Sequence, residues 1–387
     1  MIPLNSHLDP LQRSGIRLFT NLAKEVPDCV MLTIGEPDFD TPEPIKAAAV
    51  AALAQNQTHY APNQGIELLR KAVAEYETAR GMECCAEQVL ITVGATGALY
   101  TALTGMLNPG EEVIIPTPAF SLYETITLAA GAKPVALDIA KDGFQITDEG
   151  LSALITDKTK AIVLNSPNNP TGTVLSAASL AAVKRAVMGK DIYVICDNVY
   201  NQLSYAPVPD LSLDAELRQQ VLLCQSFSKP YAMTGWRVGY LIGPQAVMDR
   251  LLLLHAAQVA AVPTFIQFAC VEALKTDITP MVREYRSRRD YIMDRLEKMG
   301  LTFPKPEGAF YIFADISRFG LTGDEFCRRL IREAAVAAVP GSCFGAEGYI
   351  RLSYCCAMDR LTLGMDRLES FLKRLSNCTK AEFPNCP

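Results

Sequence analysis

From about residue 85 onward, short apolar runs alternate with helix-like stretches, and few folds accommodate that rhythm. "QVLITVG" (Gln88 to Gly94) reads as a strand and "ATGALYTALTGML" as a helix; "EEVIIP", "SLYETITLAAGA" and "KPVALDI" extend the pattern as strand, helix and strand. "KAIVLNS", "DIYVICD", "VLLCQS" and "VGYLIG" continue the series, with helices such as "AASLAAVKRAVM" between them. Strands apolar along their whole length and separated by helices imply a mainly parallel sheet covered on both faces. Ligands of such sheets gather beyond the carboxyl ends of the strands. The texture changes near residue 280. "MVREYRSRRDYIMDRLEKMG" is a charged amphipathic helix, and "GAFYIFADI" and "YIRLSYC" read as strands of a smaller α/β unit. A chain of 387 residues can bury two such cores. The expected organisation is a large domain over 45–280 and a small one over 281–387. An arm over 1–44, with no clear strand–helix unit of its own, is expected to pack with the small domain. The tail "CTKAEFPNCP" is expected to be poorly ordered.

Hydrophobic residues at 49% and charged residues at 20% describe a globular chain. A formal charge of -6 gives no basic footprint, which argues against a nucleic-acid partner. No apolar stretch is long enough to span a bilayer, so no membrane partner is expected, and "MIPLNSHLDPLQRSG" lacks the basic and apolar regions of a signal peptide. The twelve cysteines include the adjacent pairs Cys84–Cys85 and Cys355–Cys356, a poor geometry for disulfides or for zinc. Reduced thiols in a cytoplasm are the expectation. With only three histidines, a histidine-rich metal site is not expected.

The informative positions are those that follow each strand. Gly94-Ala95-Thr96-Gly97 opens a helix and reads either as a tight turn or as an anion cradle; it is not a Walker motif. "SPNNPTG" (Ser166 to Gly172) is a rigid turn that could aim an amide at a ligand, or simply a turn. Asp197 ends a strongly apolar strand, where a carboxylate is costly unless a cation or donor meets it; Tyr200 follows three residues on. "SFSKPYAMTGWRVG" (Ser226 to Gly239) then links two apolar strands with hydroxyls at Ser226 and Ser228, an amine at Lys229 and a guanidinium at Arg237. Pro230 keeps Lys229 off a helix, and a partly desolvated lysine near other cations is a Schiff-base candidate. Together these supply what pyridoxal phosphate needs: a phosphate cup, an acid for the ring nitrogen, donors to the ring oxygen and a lysine for the aldehyde.

With these residues in view, the sequence resembles the class I/II aminotransferases of fold type I, which use pyridoxal 5'-phosphate. The resemblance runs from "TIGEPDFDTP" to "YIRLS", carried in order by "HYAPNQG", "TVGAT", "PTPAF", "NSPNNPTG", "CDNVY", "SFSKPYAMTGWRVG" and "RLS". It implies that Lys229 bonds the cofactor's aldehyde as a Schiff base and later shuttles the substrate's Cα proton. It implies that Asp197 pairs with the pyridine nitrogen, that Asn169 and Tyr200 donate to the ring oxygen, and that Phe120 stacks on the ring. Ala95, Thr96, Ser226 and Arg237 would bind the phosphate. Arg351, with Gly35 and Asn169, would hold the substrate's α-carboxylate, and Tyr60 would reach the phosphate of a neighbouring subunit in a homodimer. The implied reaction is ping-pong transfer of the amino group of an aspartate, aromatic or related L-amino acid to a 2-oxo acid such as 2-oxoglutarate.

Carbon–sulfur β-lyases keep the same cofactor residues and are the nearest competing reading. Transcription regulators with this fold carry an N-terminal DNA-binding domain, but the fold's markers here begin by Gly35, so no such domain is expected. A non-enzymatic nucleotide-binding protein is the remaining alternative and would be colourless. Side-chain specificity has no motif of its own; by position alone, Ile16, Arg17, Cys343 and Phe344 are pocket candidates.

Overall fold

The computed structural model describes residue 2 and residues 4–382. Its strands, in chain order, are β1 (Val30–Met31), β2 (Val89–Thr92), β3 (Glu112–Thr117), β4 (Lys133–Asp138), β5 (Thr159–Asn165), β6 (Tyr193–Asp197), β7 (Val221–Ser226) and β8 (Gly239–Ile242), then β9 (Tyr311–Asp315), β10 (Val336–Ala337), β11 (Val339–Pro340) and β12 (Tyr349–Ser353). Seven of them form one sheet in the order β2-β8-β7-β6-β5-β3-β4. Strands β4, β3, β5, β6 and β7 pair in parallel, whereas β8 is antiparallel to both β7 and β2. Strand β2 therefore runs with the parallel set. The carboxyl ends of six strands and the start of β8 share one edge.

The central strands β5, β6 and β7 are largely apolar because both faces are covered, whereas the edge strand β4 is mostly part-exposed. In β5, Ile162 and Leu164 join a core with Leu180 and Val183 of the helix Ala177–Val187. Ala161 and Val163, pointing the other way, meet Leu99 and Leu103 of Gly94–Met106 and Leu251 of Gln245–Val259. The side-chain period of two thus delivers alternate residues to two separate cores. A third core packs the helices Glu43–Ala54, Glu67–Ala79 and Thr264–Ala273 over β2 and β8.

The C-terminal strands form an antiparallel sheet in the order β11-β12-β9. In the arm, where no regular unit stands out in the sequence, the structure has the helix Gly15–Lys24 and the two-residue β1, which pairs in parallel with β10. Their partners lie some three hundred residues away, so local periodicity carries little trace of them. Phe19, Ala23, Val30 and Leu32 share a core with Phe310, Phe326, Leu352 and Phe371. The last helix runs Met358–Glu382; the rest of the tail lies outside the described residues. The ten cysteines from Cys29 to Cys356 are free thiols. No helix among the described residues is long and apolar enough to cross a membrane.

Candidate active site

The shared strand edge opens on a cavity of about 660 Å³. Its lining includes Gly35, Ala95, Thr96, Phe120, Asn169, Asp197, Tyr200, Ser226, Lys229, Arg237 and Arg351, with Ile16 and Arg17 contributed by the arm. Tyr60 is not in this lining and is 95% exposed on the same chain. Cys343 and Phe344 line a smaller cavity of about 260 Å³ whose wall, Phe120, is shared with the first.

Asp197 is the last residue of β6 and is 4% exposed. Its Oδ2 accepts from the Tyr123 hydroxyl at 2.6 Å, and the Asn165 amide donates to its main-chain oxygen at 2.9 Å. Oδ1 is buried with no partner. Burial pushes the carboxyl up to about 6, against the opposing pull of the Tyr123 hydroxyl and the Val199 amide. An unsatisfied carboxylate oxygen in this position is costly by itself. The group that would relieve it is a cationic N–H donor in the cavity, which the protonated ring nitrogen of pyridoxal phosphate provides.

Lys229 lies in the link between β7 and β8, whose turn is pinned by the Ser228 amide donating to Ser226 Oγ (3.0 Å) and by the Met233 amide donating to the Ser228 carbonyl (3.1 Å). Its Nζ donates to the Gly35 carbonyl at 2.6 Å and stands 5.8 Å from the centroid of the Phe310 ring. Desolvation lowers the amine to about 8; Arg237 and Arg351 push the same way, while Cys355 and Glu36 oppose them. A neutral fraction near neutral pH is what a nucleophilic and proton-moving lysine requires.

At the other wall, the helix Gly94–Met106 begins with no side-chain cap at Val93 and no acid in its first turn. Its first N–H groups, at Ala95 and Thr96, are suited to an anion. Arg237 adds a cation there from a left-handed backbone (φ 56°). Gly94 permits that approach: a Cβ on it would sit 2.8 Å from Arg237 Nη2. Ser226 Oγ lies 2.9 Å from Ser228 Oγ. Two hydroxyls, a guanidinium and a helix N-terminus form a phosphate-type donor set.

Arg351, on β12, is 1% exposed and pairs with no carboxylate among the described residues. Nη1 donates to Asn169 Oδ1 at 2.9 Å and Nη2 to the Thr33 carbonyl, while Nε is buried without a partner. The guanidinium lies over the rings of Tyr311 (4.6 Å) and Phe344 (4.8 Å). Burial lowers its pKa. A desolvated guanidinium without a counter-ion is a ready receptor for a planar carboxylate.

Two tyrosines complete the site without having been singled out in the sequence. Tyr123 holds Asp197. Tyr311 places its hydroxyl 2.9 Å from that of Tyr200, and a Cβ on Gly35 would meet it at 1.7 Å. Tyr123 lies three residues after Phe120 in a helical stretch, and Tyr311 sits inside an apolar strand, so each reads in sequence as a core aromatic.

Residues 27–367 match the family described as aminotransferase class I and II. The chain is 41% identical over 376 residues to a probable N-acetyl-LL-diaminopimelate aminotransferase of Bacillus subtilis, covering 95% of each chain. It is 39% identical over 382 residues to an aromatic-amino-acid aminotransferase of Thermococcus litoralis, covering 96% of this chain and 98% of the other. A solved aspartate aminotransferase of Thermus thermophilus, with maleate, superposes with a TM-score of 0.90 at 35% identity, over 96% of this chain and all of that one. By sequence, fold and the chemistry gathered at the strand edge, the chain belongs to the class I and II aminotransferases, enzymes that work with pyridoxal phosphate.

Proposed function

We propose that this protein moves the amino group of an aspartate, aromatic or related L-amino acid to a 2-oxo acid such as 2-oxoglutarate, with the roles at the site divided as follows. The observation that carries the reading is one cavity holding a desolvated lysine, a buried carboxylate with one unsatisfied oxygen and a buried arginine without a carboxylate. Pyridoxal phosphate, when bound, supplies an electrophilic carbon for the amino group and a sink for the electrons of the broken Cα–H bond. Asp197 Oδ1 would hold the ring nitrogen's proton, and Asn169 and Tyr200 would flank the ring oxygen, with Phe120 against the ring. Ala95, Thr96, Ser226 and Arg237 would anchor the phosphate. Arg351, with Gly35 and Asn169, orients the substrate by its α-carboxylate, which fixes the Cα–H bond toward Lys229. The Lys229 amine would accept and hold that Cα proton.

Tyr60 supports a shared site in a homodimer, because it is 95% exposed on its own chain and lies outside the lining of that chain's cavity. Val50, Leu68 and Leu253, each more than half exposed, add apolar surface for a second copy to cover. Free thiols, including the exposed Cys85, favour a reducing compartment and hence the cytoplasm.

The test is a donor panel run with 2-oxoglutarate, paired with borohydride fixation of the purified yellow protein. Amino transfer with ping-pong kinetics and a borohydride-fixed adduct mapped to Lys229 are expected. Pyruvate and ammonia released from cystathionine without any 2-oxo acid acceptor would overturn the transaminase reading in favour of elimination.

A further inference from the structure

After β1 and before the helix Glu43–Ala54, residues 35–41 form neither helix nor strand, yet they are gripped from two sides. On one side is the turn that carries Lys229. Its Nζ donates to the Gly35 carbonyl at 2.6 Å, and the Thr234 hydroxyl donates to the Glu36 carboxylate. The Thr41 hydroxyl donates to the Ala232 carbonyl at 2.7 Å, and the Trp236 indole donates to Thr41 Oγ1 at 3.1 Å. On the other side is Arg288, in the helix Thr279–Lys298. Its Nη1 donates to Asp38 Oδ1 at 2.7 Å and its Nε to Glu284 Oε1 at 2.9 Å, and its guanidinium lies 5.2 Å from the centroid of the Phe39 ring. Tyr285 backs this contact: its ring packs at 5.4 Å both on Phe39 and on Phe310, the ring beside Lys229 Nζ.

Arg288 has no part in the roles assigned above. It sits on the buried face of its helix with Tyr285, Ile292 and Leu296. A buried ion pair adds little stability over an apolar residue of similar volume. What it adds is direction, a planar fork aimed at one carboxylate.

We propose that Arg288 is a positioning residue for Lys229, acting through Asp38 to tether the strap of residues 35–41 so that the Gly35 carbonyl stays on the lysine amine and Glu36 stays near it. This rests on the reading that Lys229 carries the substrate's proton.

The charged and titratable neighbours of the Lys229 amine divide by where they are anchored. Glu36 favours the protonated amine and belongs to the strap. Cys355 acts in the same direction from just beyond β12, with its thiol 3.3 Å from the Ile34 carbonyl at the start of the strap. Arg237 and Arg351 oppose them, and both are anchored outside the strap. A slack strap therefore withdraws the Gly35 acceptor and the Glu36 carboxylate and leaves both guanidinium groups in place. The amine should then lose its proton at lower pH. Loss of the Arg288 charge alone acts through space in the opposite direction, because removing a cation favours a protonated lysine. The sign of the change thus separates a tether from a distant charge.

The experiment uses the holoenzyme carrying the aminated cofactor, pyridoxamine phosphate, which leaves the Lys229 amine free. That amine is labelled with acetic anhydride at a series of pH values, and the Lys229 peptide is quantified by mass spectrometry. The wild-type midpoint is expected well below the ordinary lysine value of about 10.4, as desolvation of the amine to about 8 implies. In Arg288→Met the midpoint should fall by a further half pH unit, roughly, or more. Arg288→Gln should lower it likewise and serves if the first variant does not fold. Arg288→Lys keeps a donor for Asp38 without the fork, and its midpoint should lie between wild type and Arg288→Met. A midpoint unmoved or raised in the Met and Gln variants overturns the tether, even where the melting temperature falls, and leaves Arg288 a packing residue. An ordinary lysine midpoint in the wild type would instead overturn the reading of Lys229 as a desolvated proton carrier.

Discussion

Asp197 and Arg351 are buried to almost the same degree, 4% and 1% exposed, and each leaves one polar atom unsatisfied, yet they are held in opposite ways. Asp197 is fixed by the large sheet and its own helices: Asn165 ends the neighbouring strand, and Tyr123 comes from the helix that follows β3. Arg351 is fixed by segments distant from one another in the chain, namely Thr33 of the arm, Asn169 of a large-sheet loop, and Tyr311 and Phe344 of the C-terminal unit. The cofactor end of the cavity is thus a product of one sheet closing on itself. The substrate end exists only once the arm and the C-terminal unit have docked. Lys229 joins the two, with its backbone on the sheet edge and its amine on the arm's Gly35.

The largest effect should come from cutting that join. Lys229→Ala removes the nucleophile and the proton carrier together, and amino transfer is expected to fall by about 10⁴-fold or more while the far-ultraviolet circular dichroism is kept. If the variant retained more than about a hundredth of the rate, proton transfer would have to lie elsewhere. The next prediction isolates the cofactor end. The Asp197 carboxyl is raised from 3.8 to about 6 by burial, so the folded protein holds its proton more tightly than the unfolded chain does. The resulting stability is full below about pH 4 and lost as pH rises through about 6, a change of about 3 kcal/mol. Denaturant unfolding of cofactor-free wild type and Asp197→Asn across this window should show the wild type losing about that much relative to the variant. Parallel pH profiles would mean that Asp197 is not desolvated as its burial implies.

The same division explains what could be read from the sequence. Asp197, Lys229 and the Gly94–Gly97 turn follow strands whose apolar runs are unmistakable, and a parallel sheet brings strand ends together whatever the rest of the chain does. Ser226 and Arg237 travel with Lys229 in one continuous segment. Arg351 could be marked by its motif, but not its clamp. Thr33 and Tyr311 acquire their roles through contacts with residues 318 and 111 positions away, and a tyrosine inside "GAFYIF" is indistinguishable by pattern from core. The arm's helix and β1 were hidden for the same reason. Their burial is against the C-terminal unit, and β1 is only two residues long.

Predictions at the substrate end are smaller and probe the docking. Arg351→Lys keeps a charge but cannot donate in parallel to a planar carboxylate, and kcat/KM for every amino acid is expected to fall about 10- to 100-fold, chiefly through KM. An effect confined to one class of side chain would move Arg351 away from the α-carboxylate.

The smallest effect tests whether the two ends are coupled at all. Tyr200 belongs to the large-sheet side and Tyr311 to β9, and their hydroxyls meet at 2.9 Å with rings 5.7 Å apart at 83°. In Tyr311→Phe the ring stays over the Arg351 guanidinium, so the cation contact survives and only the hydroxyl bond is lost. That leaves the buried Tyr200 hydroxyl without its partner, at a cost of about 1 kcal/mol in stability. Because either tyrosine can be truncated to phenylalanine without leaving a cavity, a double-mutant cycle over Tyr200→Phe and Tyr311→Phe isolates the hydrogen bond. A coupling energy of about 0.5–1.5 kcal/mol would show that the sheet edge and the C-terminal unit stabilise each other through the site itself. A value near zero would mean that the two ends are held together only by packing outside the cavity, and that the hydroxyl pair serves the bound cofactor alone.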